Sequence, residues 1–224
     1  MRAPASFPPT AETRYRDRVE AGAVLAGLLE RYRGQRPVVL GIPRGGVPVA
    51  AEVARRLSGE LDVVVARKLG APMHEELAIG AVTADGGRFL NDDVIRALGV
   101  SDEYLSRVTD EQMREARSRE QRFRGARPPT PLTGRTVVLV DDGLATGATM
   151  RAAARAVRAR GPARLVAAVP VGSTEACTAL AGEVDEVVCP SRPEPFIAIG
   201  LHYLDFEQVD DSEVVALLQG GGQS

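Results

Sequence analysis

Strands that are apolar at nearly every position, rather than at alternate ones, bury both faces, which marks a parallel sheet covered by helices on each side. Residues 37–42 (PVVLGI), 61–66 (LDVVVA), 136–140 (TVVLV), 165–171 (LVAAVPV) and 184–189 (VDEVVC) read this way. Helix-patterned stretches separate them: 15–32, with Val19, Val24, Leu25, Leu28 and Leu29 at helical spacing and Gly34 as its stop, then 47–57, 148–159 and 173–180. The expected fold class is α/β, an open, mainly parallel sheet with helices on both faces. Three segments depart from the alternation. Residues 67–77 (RKLGAPMHEEL) read as a loop and 79–84 with 88–90 as a hairpin around Asp85-Gly86-Gly87, together about 67–90. Residues 92–126 read as two helical pieces, the second dense in mixed charge, a solvated arm or a dimer contact. Residues 190–219 mix prolines and aromatics with a short final helix. There is no internal repeat, and 224 residues suit one domain, 1–224.

A hydrophobic share of 44% with 26% charged residues is ordinary for a globular chain and argues against a disordered or fibrous one. The net charge of -2 offers no field for nucleic acid. The basic cluster at 117–127 is interleaved with Glu120, preceded by Glu115, and lacks aromatic stacking platforms, so no nucleic-acid partner is expected. No apolar run approaches the ~20 residues of a membrane span. The opening MRAPASFPPTAETR lacks the apolar core of a secretory signal, so no membrane partner and a cytoplasmic location are expected. Cys177 and Cys189 lack metal-ligand spacing and read as two buried thiols without chemistry. Of 28 Lys and Arg, only residue 68 is Lys, which leaves 27 arginines. Lys68 is either an accident of Arg-rich coding or a position that needs a compact ammonium in place of a planar fork.

Residues 137–149 (VVLVDDGLATGAT) concentrate the chemistry. Four apolar residues make a buried strand, Asp141 and Asp142 sit at its carboxyl end, and Thr146-Gly147-Ala148-Thr149 opens a helix. Ligands gather at the carboxyl ends of parallel strands, and helix N–H groups hold a phosphate without a basic side chain. Adjacent carboxylates suit a vicinal diol and favour a nearby oxocarbenium-like centre. The alternative is a tight strand-to-helix turn with Thr as N-cap and two solvated aspartates. A second strand, glycine turn and helix, at Pro43-Arg44-Gly45-Gly46, repeats the phosphate-binding layout.

The run from 137 to 149 resembles the motif that binds 5-phosphoribosyl-1-pyrophosphate (PRPP) in type I phosphoribosyltransferases: an aliphatic strand, two acids, three variable positions, Thr-Gly, a small residue and Thr. The resemblance implies that the 5-phosphate of PRPP lies on Ala145, Thr146, Gly147, Ala148 and Thr149, with its ribose hydroxyls facing Asp141 and Asp142. It implies a pyrophosphate site at Arg44, Gly45 and Gly46, in a loop that often contains a cis non-proline peptide, with Arg67 and Lys68 as further cations. The segment up to Leu77, with His74 in it, corresponds to the family's mobile lid. Residues 190–219 correspond to a hood, where Phe196 or Tyr203 would stack on the acceptor, core packing being the alternative for each. The implied reaction is Mg²⁺-dependent transfer of phosphoribose to a nitrogenous acceptor, a nucleobase, with release of pyrophosphate, as in nucleotide metabolism and salvage. Asp141, Asp142 and Lys68 are the implied catalytic residues. Mg²⁺ would be held mainly by PRPP and water, with no metal site built from protein side chains. The partners are small-molecule substrates, with a homodimer open. Overall the pattern is most similar to a prokaryotic group of phosphoribosyltransferases whose acceptor is unassigned.

Two positions depart from the family pattern. Gly143 replaces a branched aliphatic, and Ala145 stands where 6-oxopurine transferases usually carry Asp, which leaves the acceptor open. The competing function is a non-catalytic PRPP sensor, which would keep the acid pair but lose the pyrophosphate cations or the lid; Arg44, Arg67, Lys68 and the 67–77 segment favour catalysis. A dinucleotide-binding oxidoreductase is disfavoured because neither glycine turn spells G-x-G-x-x-G.

Overall fold

The computed structural model describes residues 14–220; the tail in which the absence of a secretory core was read lies largely outside these, as do the last four residues. The larger sheet has five strands, all parallel: β1 (Val38–Gly41), β2 (Glu60–Val63), β6 (Thr136–Val140), β7 (Arg164–Ala168) and β8 (Glu186–Val188), in the order β2-β1-β6-β7-β8. Alternate residues feed two apolar layers, as strands buried on both faces require. Val39, Val138 and Val166 pack under α2 (Gly46–Leu57), α1 (Arg18–Leu28) and α7 (Asp211–Gly220). Val38, Leu40, Val137 and Leu139 pack under α5 (Ala148–Ala159) and α6 (Thr174–Leu180).

The antiparallel strands form a separate sheet: β3 (Ala66–Ala71), β4 (His74–Thr83) and β5 (Arg88–Leu90). This corrects two readings. Residue 66 belongs to β3 rather than to the strand before it, and the 67–77 loop is strand, turn and strand, with Arg67 and Lys68 opposite Val82 and Ala81. Gly70 and Ala71 are weak strand formers, and the register slips on either side of Gly70, so the segment lacks the period of two that would have marked it. The exposed Met73 makes the turn with a φ of 62°.

Past α3 (Asp92–Leu98), helix α4 (Asp102–Arg124) is no free arm. Its outer face is solvated, but Val108, Ala116 and Phe123 are buried in the core. Arg124 donates to the buried Asp62 of β2 (2.8 Å) and to the carbonyl of Val63 (2.6 Å). No helix among the described residues is long and apolar enough to cross a membrane.

In the larger sheet β1 connects through α2 to β2 on one side, whereas β6 connects through α5 to β7 on the other. The two chains leaving the carboxyl ends of adjacent strands β1 and β6 diverge there, and that divergence opens the crevice in which α/β sheets bind ligands.

Candidate active site

Both candidate segments meet in this crevice. Ile42 N–H donates to the carbonyl of Val140 (2.9 Å), which carries the β1–β6 pairing past the strand ends and draws the 43–46 turn against the acid pair. The fit is close enough to demand glycine: a Cβ on Gly45 would fall 1.9 Å from Asp142 Oδ2, and one on Gly46 2.8 Å from Asp141 Cα. The Pro43–Arg44 peptide is cis.

Helix ends separate this region from the rest of the molecule. α1, α3, α4 and α6 begin on Asp17, Asn91, Ser101 and Ser173, whose side chains accept from the first-turn amides. α2 and α5 begin on Gly45 and Gly147 with no side-chain cap. At α5 the leading N–H groups, with the positive end of the helix dipole, are left for an anion, whereas in α2 Gly46 and Val47 donate to the carbonyls of Ile42 (3.0 Å) and Arg44 (3.1 Å) and Pro48 has no N–H. Gly147 reaches its cap position at a φ of 78°, and Ala145 and Thr146 before it are exposed. Thr therefore does not serve as the N-cap of α5.

The acid pair is sunk in the crevice floor. Asp142 N–H donates to Asp141 Oδ1 (2.9 Å), and Arg18 of α1 donates through Nε to Asp142 Oδ2 (2.9 Å). Burial, and then the charge of Asp142, push the Asp141 carboxyl well above its ordinary range. Burial also raises Asp142, against the pull of Arg18. Two carboxylates thus share one guanidinium.

Arg18 escaped the sequence reading, as its partner lies 124 residues away. It also donates to the carbonyl of Glu207 (2.8 Å), with its guanidinium carbon 3.9 Å from the centre of the Phe206 ring, so α1 and the C-terminal segment jointly hold the acid. Ser173 was also missed. Besides capping α6, its hydroxyl donates to the carbonyl of Ala145 (2.9 Å) and its N–H to that of Leu144 (2.8 Å), fixing the back of the 145–149 turn.

The remaining candidates spread out. Arg44 is half-buried and points Nη1 towards Asp211 of α7 (3.7 Å), which Arg122 also contacts (2.9 Å). Strand alternation divides Arg67 from Lys68. Arg67 Nε donates to Gln112 of α4 (3.2 Å), and burial, then Arg119, lower its pKa. The exposed Lys68 stands opposite Ala81, on the face where Ala81 and Phe89 pack over Ala148 and Ala152 at the start of α5. Tyr203 is buried against Tyr15 and Phe206, and its hydroxyl donates to the carbonyl of Asp142 (2.7 Å), so it braces the acid loop. Phe196 is half-buried and stacks on His202, the ring centres 5.8 Å apart. The glycine at 143 also finds its reason: a Cβ there would come 2.6 Å from Ile199 of the hood.

A model of the phosphoribosyl transferase domain matches residues 18–204, and the chain belongs to that family. It is similar to "Putative phosphoribosyl transferase Rv0571c" of Mycobacterium tuberculosis, 50% identical over 202 residues that make up 90% of this chain and 46% of the relative. It is also similar to the bifunctional protein PyrR of Chloroflexus aurantiacus, 37% identical over 131 residues, 57% of this chain and 66% of that protein. Among solved structures, TT1426 of Thermus thermophilus superposes with a TM-score of 0.80 at 49% identity, covering 94% of this chain and all of that one. The chain spans about half the length of the Mycobacterium relative.

Proposed function

We propose that the chain transfers the phosphoribosyl group of PRPP to a nitrogenous acceptor, a nucleobase, and releases pyrophosphate. The observation that carries this reading is the convergence of the uncapped N-terminus of α5 and the close-packed glycine turn at 43–46 on one buried acid pair at a single crevice. PRPP has that distribution of charge, with a phosphate at one end, a pyrophosphate at the other and a ribose diol between. The 5-phosphate would take the amides of Ala145, Thr146, Gly147, Ala148 and Thr149, and the pyrophosphate the turn at Arg44, Gly45 and Gly46, drawing Arg44 from Asp211.

Asp141 and Asp142 would accept from the ribose hydroxyls. Two buried carboxyls with one cation between them gain from any further positive charge, and a ribose losing pyrophosphate supplies it at C1. Lys68, beside the first turn of α5, would meet charge growing on the departing pyrophosphate. The carboxylate oxygens suit a hard cation, and Mg²⁺ arriving on PRPP would lie beside them and neutralise the leaving group.

A nucleobase screen with PRPP and Mg²⁺, read as pyrophosphate release, tests the reading. At least one base should give release that depends on both components. PRPP binding without release across all bases would favour the non-catalytic sensor.

A further inference from the structure

The two cysteines, which the active site does not use, lie directly behind the phosphate-binding turn. Beyond the ends of β6, β7 and β8 the chains stay laced together. Leu144 N–H donates to Val171 (2.9 Å), Ser173 N–H to Leu144 (2.8 Å) and Gly172 N–H to Ser191 (3.0 Å). Cys177 and Cys189 close on this lacing from its two ends. Cys177, buried in the first turns of α6, stands 3.1 Å from where a Cβ on Gly172 would be. Cys189, half-buried after β8, donates its thiol to the carbonyl of Ser191 (3.2 Å), the group that receives Gly172 N–H. The two side chains pack in one apolar cluster and both bear on the Gly172–Ser191 hydrogen bond.

We propose that Cys177 and Cys189 form a reversible intramolecular disulfide, an oxidant-responsive clamp on the turn that carries Ala145 and Thr146. The pairing goes beyond the reading of function above and stands without it. The interaction with Cys189 brings the Cys177 thiol down to about 7, while the same interaction and burial push Cys189 up. Cys177 is therefore the nucleophile at neutral pH.

The oxidant class is a hydroperoxide, small enough to enter on the half-buried Cys189 side. The Cys177 thiolate attacks one peroxide oxygen, giving a sulfenic acid and hydroxide. The Cys189 sulfur then displaces the sulfenic hydroxyl, its own proton leaving with that group as water. A disulfide here ties α6, whose cap Ser173 holds Ala145, to the chain segment that holds Gly172. It should therefore stiffen the turn.

The test is native treatment of the full chain with hydrogen peroxide, followed by intact mass. Wild type should lose the mass of two hydrogens. Glu183 and Glu186 lie between the cysteines, so cleavage after glutamate should leave two peptides joined until dithiothreitol is added. Cys189→Ser should stop at a sulfenic acid on residue 177 that dimedone traps, and Cys177→Ser should stay unmodified. Amide exchange at residues 144–149 should slow several-fold in the oxidised protein, and unchanged exchange would remove the clamp. Added oxygen in wild type without a link, or a link between two chains, would overturn the pairing. None of these readouts requires PRPP, so their failure would not be mistaken for failure of the transferase reading.

Discussion

Two buried aspartates on this sheet each meet an arginine, and the two sites differ in every other respect. Asp62, in β2, accepts from Arg124 Nε (2.8 Å), Thr130 N–H (2.9 Å) and Val63 N–H (2.8 Å). Burial works to raise its pKa, but Arg124 and those amides outweigh it and hold the carboxyl below its ordinary value. Asp142 has Arg18 as its cation and is crowded by Asp141 and by Gly45, and burial outweighs Arg18 and the weaker bonds, so its pKa rises. The first aspartate is saturated by the fold and staples α4 to the sheet. The second is left short of positive charge at a crevice that opens beside the uncapped α5. Unsatisfied charge of this kind is tolerated where a ligand completes it.

The largest effect should come from breaking the saturated site. Arg124→Met leaves Asp62 buried and without its cation and should cost about 3–5 kcal/mol, read by urea unfolding, while any PRPP affinity of the folded fraction is kept. Loss of affinity at unchanged stability would reverse the roles assigned to the two regions.

Next in size, Lys68→Ala should lower kcat about 100-fold, by analogy with removal of one charged transition-state contact, and raise the KM for PRPP less. Lys68→Arg should recover only part, since a planar fork does not replace a compact ammonium. The side chain is exposed on β3, so neither variant should shift the unfolding midpoint appreciably. Steady-state kinetics with both variants within twofold of wild type would return Lys68 to the surface.

The smallest effect has the most telling sign. Asp141→Asn removes a carboxyl whose pKa is raised by burial and by Asp142, and should stabilise the fold by about 1 kcal/mol at neutral pH while lowering turnover. The pH dependence should separate the two regions. A raised carboxyl contributes stability below its unfolded pKa, and that contribution is lost as pH rises through its folded value. The lowered Asp62 contributes above its unfolded pKa and is lost as pH falls through its folded value. Asp141→Asn should therefore remove a decline in stability towards neutral pH, and Asp62→Asn a decline towards acid. Unfolding curves at several pH values would show the same tilt for both variants if the contrast between the sites were wrong.

The sheet and half of the site were readable because their signals are local. β1, and β6 and β7 after their first residues, announce themselves as unbroken apolar runs, since burial on both faces leaves no polar position there. The acid pair and the turn that follows it are contiguous in sequence. What escaped depends on long reach. Arg18 joins the candidate site only through a carboxylate 124 residues away. Ser173 reads as an ordinary helix cap until its hydroxyl is seen on Ala145. The 67–77 segment hid its strands because an irregular hairpin with Gly70 inside it breaks the alternation, and with it the fact that Arg67 and Lys68 face opposite ways.

The central claim is that the acid pair, the glycine turn at 43–46 and the uncapped α5 form a PRPP site. Thermal unfolding of wild type and of the double variant Asp141→Asn, Asp142→Asn, each titrated with PRPP and Mg²⁺, tests it most directly. Wild type should gain about 2.7 kcal/mol at roughly 100 times the dissociation constant. The double variant, still folded, should gain little and release no pyrophosphate. Equal stabilisation of the two proteins, or no shift in either over a wide range of PRPP, would contradict the account.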